Sequence, residues 1–416
     1  MPSTPHLCIL TTAHPADDVR VYEKFCCSFL AAGWRVTWVG PDYDQFGKRP
    51  ATSHRLEFRL FEPPLRRISR LLAYRRARAM ALPVRGVSAY YCPDPDAAAV
   101  AAGLARRAGA RVIMDIHEVY DRPRAMQHWP IGPLLPWACR MVRAQMRRIC
   151  GRCDLVAAVS ESVLAPYRSH ARSALIIRNC APNRYAEGPP ADVCPASREG
   201  LVLMHGKANL SRGTENVLKA VRLALAHRSD IRIVMFDTLE DSRRGSARAD
   251  FDRIVFELAV RDAIDLRPPA PALEIPRILR TCDAGLIAYD RGLGEGSLPN
   301  RLFEYMAAGL PILAPVYSSE IARIVTAERC GILVDFSDPA TVAKAIVYLR
   351  EHPEQCRAMG ARARKAFELR HNWEREIEPL LDQIQRWSGT PQPSRTRREP
   401  RASKEKDLAC SREKSS

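Results

Sequence analysis

Short apolar runs alternate with helical patterns along most of this chain, and that alternation restricts it to parallel sheets wrapped by helices. Residues 7–12 have the composition of a buried strand, 21–32 carry a helical pattern closed by Gly33, and 35–40 read as the next strand. The order strand, helix, strand is a βαβ unit. It recurs with a strand at 89–92, a small-residue helix over 96–108 and a strand at 111–116, and two more strands are expected at 154–160 and 174–179. The stretch 187–200 is proline-containing and poor in apolar residues, as a linker would be. A second α/β series follows, with strands at 201–206, 231–236 and 284–289 and a short one in the Pro-Ile-Leu-Ala-Pro run ending at Pro315. A chain of 416 residues is long for one core. The expected fold is therefore α/β, with two Rossmann-like doubly wound domains facing a cleft. Their boundaries are read as 1–186 and 201–371, with a linker at 187–200. A helix at 372–387 is expected to pack back towards the first domain, and 388–416 reads as a disordered basic tail rich in Ser, Pro, Lys, Arg and Glu. In such sheets ligands sit beyond the carboxyl ends of the strands, so chemistry is sought in the loops that follow them.

The formal charge of +17 and a pI near 9.6 call for an anionic partner: a nucleotide, an acidic membrane surface or nucleic acid. No RNP-type aromatic pattern or finger spacing accompanies the charge, so no nucleic-acid partner is expected. The 13 cysteines are scattered, and Cys150 and Cys153 form a CxxC with no second pair to complete a zinc site. Free thiols and a cytoplasmic location are expected, since the first residues lack a basic secretory leader. No run approaches the length of a membrane-spanning helix.

Five segments carry candidate chemistry. The run Ser297 to Pro315 combines a turn, a helix opening at Pro299 and Asn300, a buried face of Leu302, Phe303 and Met306, and a stop at Gly309. Glu304 lies one turn in, where it is either a surface carboxylate or a group that holds sugar hydroxyls. The preceding loop at 292–297 is glycine-rich, so its amides can approach an oxyanion closely. Gly206, Lys207 and Arg212 belong to the loop after the first strand of the second domain. Lys207 and Arg212 are either solvated surface cations or two hands on one diphosphate. Asp-Ile-His-Glu-Val-Tyr at 115–120 places His117 and Glu118 after a buried strand. Residues 11–20 hold His14, Asp17, Asp18 and Arg20 in the first strand-to-helix loop, where one aspartate caps the next helix and the other, with His14 and Arg20, faces the cleft.

The run Ser-Leu-Pro-Asn-Arg-Leu-Phe-Glu-Tyr at 297–305 resembles the donor-site signature of glycosyltransferase family 4, enzymes of the GT-B fold that move a sugar from a nucleotide diphosphate. The resemblance covers nearly all of 7–387. In the family the loop after the first strand of the second domain carries Gly-Arg and then Lys-Gly; here Gly206-Lys207 and Arg212-Gly213 keep the spacing with the basic types exchanged. The family's Glu-x7-Glu pattern implies that Glu304 holds the donor ribose. Its first glutamate falls on Gly296, with Glu295 one residue early, which leaves backbone amides around Gly296, Ser297 and Leu298, with Asn300, for the sugar. The family's Asp-Val-His-Glu implies that His117 stands beside the reacting carbon. On the acceptor side the resemblance implies His14, Asp18, Arg20, Asp94 and Glu118, Asp94 being what remains of a His-Asp-Pro-Asp turn. It implies a retaining hexosyltransferase that uses a UDP- or GDP-sugar, needs no metal or other cofactor, and serves bacterial surface polysaccharide or glycolipid synthesis on a lipid-linked or saccharide acceptor. A nucleotide-sugar epimerase of the same fold and a catalytically silent binding module are the alternatives.

Two basic stretches, 63–80 and 129–148, interleave arginines with apolar residues. Arg140, Arg143, Arg147 and Arg148 suit either core-packed helices with solvated arginines or a peripheral location on an anionic bilayer.

Overall fold

Two parallel sheets organise the computed structural model, which describes residues 4–43, 51–63, 70–120, 132–191, 200–239, 246–289, 291 and 298–388. The first contains β1 (His6–Leu10), β2 (Arg35–Pro41), β3 (Leu56–Phe61), β4 (Ala89–Cys92), β5 (Arg111–Ile116), β6 (Leu155–Ala158) and β7 (Ala174–Ile176), in the order β3-β2-β1-β4-β5-β6-β7. The second contains β8 (Leu201–Lys207), β9 (Ile231–Phe236), β10 (Ile264–Arg267), β11 (Ala284–Leu286), β12 (Ile312–Pro315) and β13 (Gly331–Val334), in the order β10-β9-β8-β11-β12-β13. The strand order reverses between β1 and β4 and again between β8 and β11. Each reversal opens a crevice at the carboxyl ends of the strands, because the flanking helices lie on opposite faces.

Alternation along β1 builds both faces of the first domain. Leu7 and Ile9 join a cluster with Phe25, Phe29 and Trp38, whereas Cys8 and Leu10 pack with Ala97, Ala101 and Leu104 of the helix Pro95–Ala108. Gly109, at φ 66°, closes that helix. The segment read as one helix at 21–32 forms in two registers, π over Val19–Cys26 and α over Cys27–Ala31. Arg20 and Lys24, four residues apart, share one face of this turn and are both buried.

The chain leaves the first domain after Ala181 and returns at Asn372, where the two crossings pair and the Trp373 N–H donates to the Ala181 carbonyl at 2.9 Å. The helix Trp373–Ser388 then lies on the first sheet. Its Trp373, Ile377, Leu380 and Ile384 are buried among Phe25, Phe29 and Trp38. Each such side chain contributes roughly 1.5–3 kcal/mol. Among the described residues no helix is long and apolar enough to cross a membrane, and no two cysteines are joined in a disulfide, Cys150 and Cys153 both being buried.

Candidate functional site

The C-terminal half of the site grows from an irregularity in β8. Its pairing with β9 slips between Met204 and Gly206, and Gly206 takes φ +88°, where a Cβ would lie 3.3 Å from Arg301 Nη1. Glycine is needed there both for the backbone angle and for the approach of Arg301, which donates to the His205 carbonyl at 2.8 Å. His205 itself is held by Thr214 Oγ1, 2.9 Å from Nε2. Burial first, and Arg301 second, push its pKa down to about 3, so the ring is neutral. The loop ends at Gly213, φ 83°, and the helix Thr214–Leu225 starts with no side-chain cap. Lys207 and Arg212 stand exposed at the two ends of this loop, and neither forms an ion pair among the described residues.

The helix Asn300–Ala308 also starts without a side-chain cap, behind Pro299, and Gly309 at φ 76° ends it. Its inner face is Leu302, Phe303, Tyr305 and Met306. Tyr305 donates towards the carbonyls of Met204 and Leu286, each at 3.3 Å, and its ring takes the space where a Cβ on Gly285 would lie 2.3 Å away. These contacts fix the helix to β8 and β11. Glu304 shares a face with Asn300. Burial raises its pKa, while Lys24, Arg301 and Lys207 pull it back down. Leu298 is buried, and its carbonyl receives Asn179 Nδ2 at 3.5 Å. Gly296 and Ser297, like Glu295, lie outside the described residues.

The N-terminal half is wired together differently. Asp18 caps the first helix by accepting from the Val21 N–H at 2.8 Å, and its other oxygen lies 3.1 Å from His14 Nδ1, so capping and site chemistry fall on one side chain. Asp94 accepts from the Thr11 hydroxyl at 2.5 Å and the Thr12 N–H at 2.9 Å, and lies 3.5 Å from His14 Nε2. Burial opposes the charge on His14, but Asp18, Asp94 and Glu118 outweigh it and raise the pKa to about 9. The His117 ring meets the His14 ring edge-on, centroids 4.9 Å apart. Its pKa is lowered, by burial first, with Arg20 and His14 adding to the effect against Asp115. A charged imidazole therefore abuts a neutral one. His117 Nδ1 makes no hydrogen bond among the described residues and stands 3.7 Å from Asp115 Oδ2.

Arg20 does not face the cleft. Its guanidinium grips Asp115 through two bonds of 2.7 Å and also reaches Asn179 Oδ1 and the Ile177 carbonyl. Asp115 is fully buried at the end of β5 with Tyr91 OH donating to it at 2.8 Å, and without Arg20 its charge would stand alone. Glu118 is exposed and lines a cavity of about 80 Å³ with Arg143, Ser162 and Tyr167.

His14, Asp18, Asp94 and His117 thus form one group, and Gly206, Lys207, Arg212, Asn300 and Glu304 another. Sequence reasoning missed Asp115, Asn179, Arg301 and Lys24. The spacing of Arg20 and Lys24, and the carboxylate two residues before His117, were the available signals. Among the described residues no group of three His, Cys, Asp or Glu side chains is placed to hold a metal ion.

Comparison with known proteins extends this picture. A family model described as Glycosyltransferase Family 4 matches residues 19–177, and one described as Glycosyl transferase-like matches 243–382. A D-inositol 3-phosphate glycosyltransferase from Thermobispora bispora is 26% identical over 183 residues, 42% of this chain and 39% of that protein. The chain thus spans about two fifths of the length of the curated relatives it matches. Sucrose-phosphate synthase from Thermosynechococcus elongatus superposes with a TM-score of 0.68 at 16% identity, over 92% of this chain and 98% of that one. HepE from Anabaena, in complex with UDP, gives 0.70 at 13% identity over 92% and 100%. Two doubly wound domains with groups of polar residues at both sheet reversals define a GT-B protein. On that fold its two halves are each similar to a glycosyltransferase family, residues 19–177 to Glycosyltransferase Family 4 and 243–382 to Glycosyl transferase-like.

Proposed function

We propose that the chain transfers a hexose from a UDP- or GDP-sugar to a hydroxyl acceptor with retention at the anomeric carbon, in the assembly of bacterial surface polysaccharide or glycolipid. The observation that carries this reading is the pairing of two uncapped helix N-termini, at Gly213 and Pro299, with two cations that have no ion-pair partner among the described residues, Lys207 and Arg212. Orphan N–H groups and free cations suit a diphosphate, and they neutralise the negative charge that grows on it as the sugar–oxygen bond breaks. That role needs no metal or other cofactor. Glu304 accepts hydrogen bonds from the ribose, His117 offers a neutral imidazole beside the sugar, and His14 with Asp94 and Glu118 serves the acceptor.

A thermal-shift panel of UDP, GDP and ADP sugars tests the reading. The Anabaena structures hold UDP and UDP-glucose, so uridine nucleotides come first. A donor at a hundred times its dissociation constant stabilises by about 2.7 kcal/mol. The response should vanish in Glu304→Ala and Lys207→Ala. Conversion of the donor without acceptor would point to an epimerase, and no response from any donor would point to a silent module.

We also propose a peripheral place on the inner face of an anionic bilayer. The helix Leu135–Cys150 buries Cys139, Met146, Ile149 and Cys150, and turns Trp137, 60% exposed, and Met141, 51% exposed, outward with Arg140, Arg143, Arg147 and Arg148. Sedimentation with phosphatidylglycerol vesicles that is lost in Trp137→Ser with Met141→Ser is the expected result. Equal sedimentation of that variant would remove this surface from consideration.

A further inference from the structure

The donor helix is held across the domain boundary by a buried lysine that no motif assigns. Lys24 is 1% exposed, and both hydrogen bonds of its Nζ run to acceptor oxygens, as an ammonium's do. Its Nζ donates to the Asn179 carbonyl at 3.0 Å and to Asn300 Oδ1 at 3.1 Å, and it lies 5.8 Å from the centre of the Trp373 ring. Asn179 follows β7 in the first domain, Asn300 is the first residue of the donor helix in the second, and Trp373 begins the returning helix. One charge therefore touches both domains and lies beside the helix that returns to the first.

An ammonium only donates, so it fixes the Asn300 amide with Oδ1 towards Lys24. What remains of the asparagine is Nδ2, which makes no hydrogen bond among the described residues and is a donor suited to phosphate or sugar oxygens. Glu304 lies four residues on, on the same helical face, and is the acceptor suited to hydroxyls. A cation beside a helix N-terminus opposes the helix dipole, and its desolvation costs further stability. The Glu304 carboxylate offsets part of that cost, which ties the charge to the Asn300–Ala308 helix.

We propose that Lys24 is a positioning residue for the nucleotide-sugar donor, orienting the Asn300 amide and seating the Asn300–Ala308 helix so that Asn300 and Glu304 act on one ligand. The inference rests on the donor-site reading above. Burial, with Arg20 on the same π turn, lowers the Lys24 pKa to about 8, against Glu304, Cys180 and Asp18, which favour the charge.

Titration calorimetry with the nucleotide sugar that binds wild type tests it on Lys24→Met, Asn300→Ala and the double variant. Each single change should weaken binding roughly ten- to a hundredfold, the loss expected for a charge-assisted hydrogen bond. The double variant should be no weaker than the worse single one. Additive losses, or full affinity in Lys24→Met, would overturn the proposal. If Lys24→Met does not fold, the pH profile of Asn300→Ala decides: wild-type affinity should fall above about pH 8 as Lys24 loses its proton. A flattened profile in Asn300→Ala supports the clamp, and an unchanged one rejects it. Failure of wild type to bind any nucleotide sugar would instead reject the donor reading itself.

Discussion

The two sides of the cleft handle charge in opposite ways. At the carboxyl ends of β1, β4 and β5, every acidic group deep in the site has a partner: Asp115 has Arg20 and Tyr91, Asp18 has His14 and a helix N–H, and Asp94 has Thr11, Thr12 and His14. Beyond β8, Lys207 and Arg212 are exposed and have no ion-pair partner among the described residues, and two helices begin without side-chain caps, as the helix Pro95–Ala108 does on the first side. A closed network fixes geometry and leaves little to give a ligand, whereas unpaired cations and orphan N–H groups keep their interaction energy for what binds. The first side therefore resembles a preset frame, and the second a receptor for a polyanion.

The largest effect should come from opening the frame. Arg20→Met leaves the buried Asp115 carboxylate uncompensated, which should cost about 3–5 kcal/mol in equilibrium denaturation. A loss below about 1 kcal/mol would mean that the first side is not preset at all. Lys207→Ala combined with Arg212→Ala should do the reverse. Both side chains are exposed and bonded to nothing described, so stability should stay within about 0.5 kcal/mol while nucleoside-diphosphate affinity falls about a hundredfold. Strong destabilisation of that double variant would erase the contrast between the two sides.

How much of this was legible follows the same division by burial. Interior strands such as β1, β5 and β9 were readable because continuous apolar runs are what a strand covered on both faces requires. The strands that sequence reading did not anticipate, β3, β10 and β13, are all sheet edges. Leu-Glu-Phe-Arg-Leu-Phe and Ile-Asp-Leu-Arg alternate charge with apolar residues over a few positions, as edges must to resist further pairing, and so resemble loops. Within the site, Lys207, Arg212 and Glu304 were visible through motif spacing. Arg20 reads in the sequence as facing the cleft and Lys24 is not singled out there; their four-residue spacing puts both on one face of Val19–Cys26, but which way that face turns is set by the buried partners Asp115 and Asn179, distant in sequence. Helix capping and a place in the site are divided between Asp17 and Asp18 in the sequence reading, but one carboxylate has two oxygens and Asp18 serves both.

The smallest expected effect is also the sharpest test of the preset frame, because two groups should pull stability in opposite directions with pH. His14 is raised from 6.5 to about 9 in the folded protein. Its contribution is complete below pH 6.5 and is lost as pH rises through about 9, since there the folded state holds a proton that the unfolded chain has released. Lys24 is depressed from 10.5 to about 8. Its penalty is complete below pH 8 and is relieved as pH rises towards 10.5, where the unfolded chain is the one that still holds the proton. Wild-type stability should therefore decline from pH 6.5 towards 8, on the order of 1 kcal/mol, and the decline should weaken or reverse above that. His14→Gln should abolish the first slope and keep the second, while Lys24→Met should do the opposite. Denaturation midpoints between pH 6 and 10 that give identical profiles for wild type and His14→Gln would show that His14 is not held as a cation by Asp18 and Asp94. The frame on the acceptor side would then be a set of neutral hydrogen bonds, and the electrostatic contrast across the cleft would rest on the Arg20–Asp115 pair.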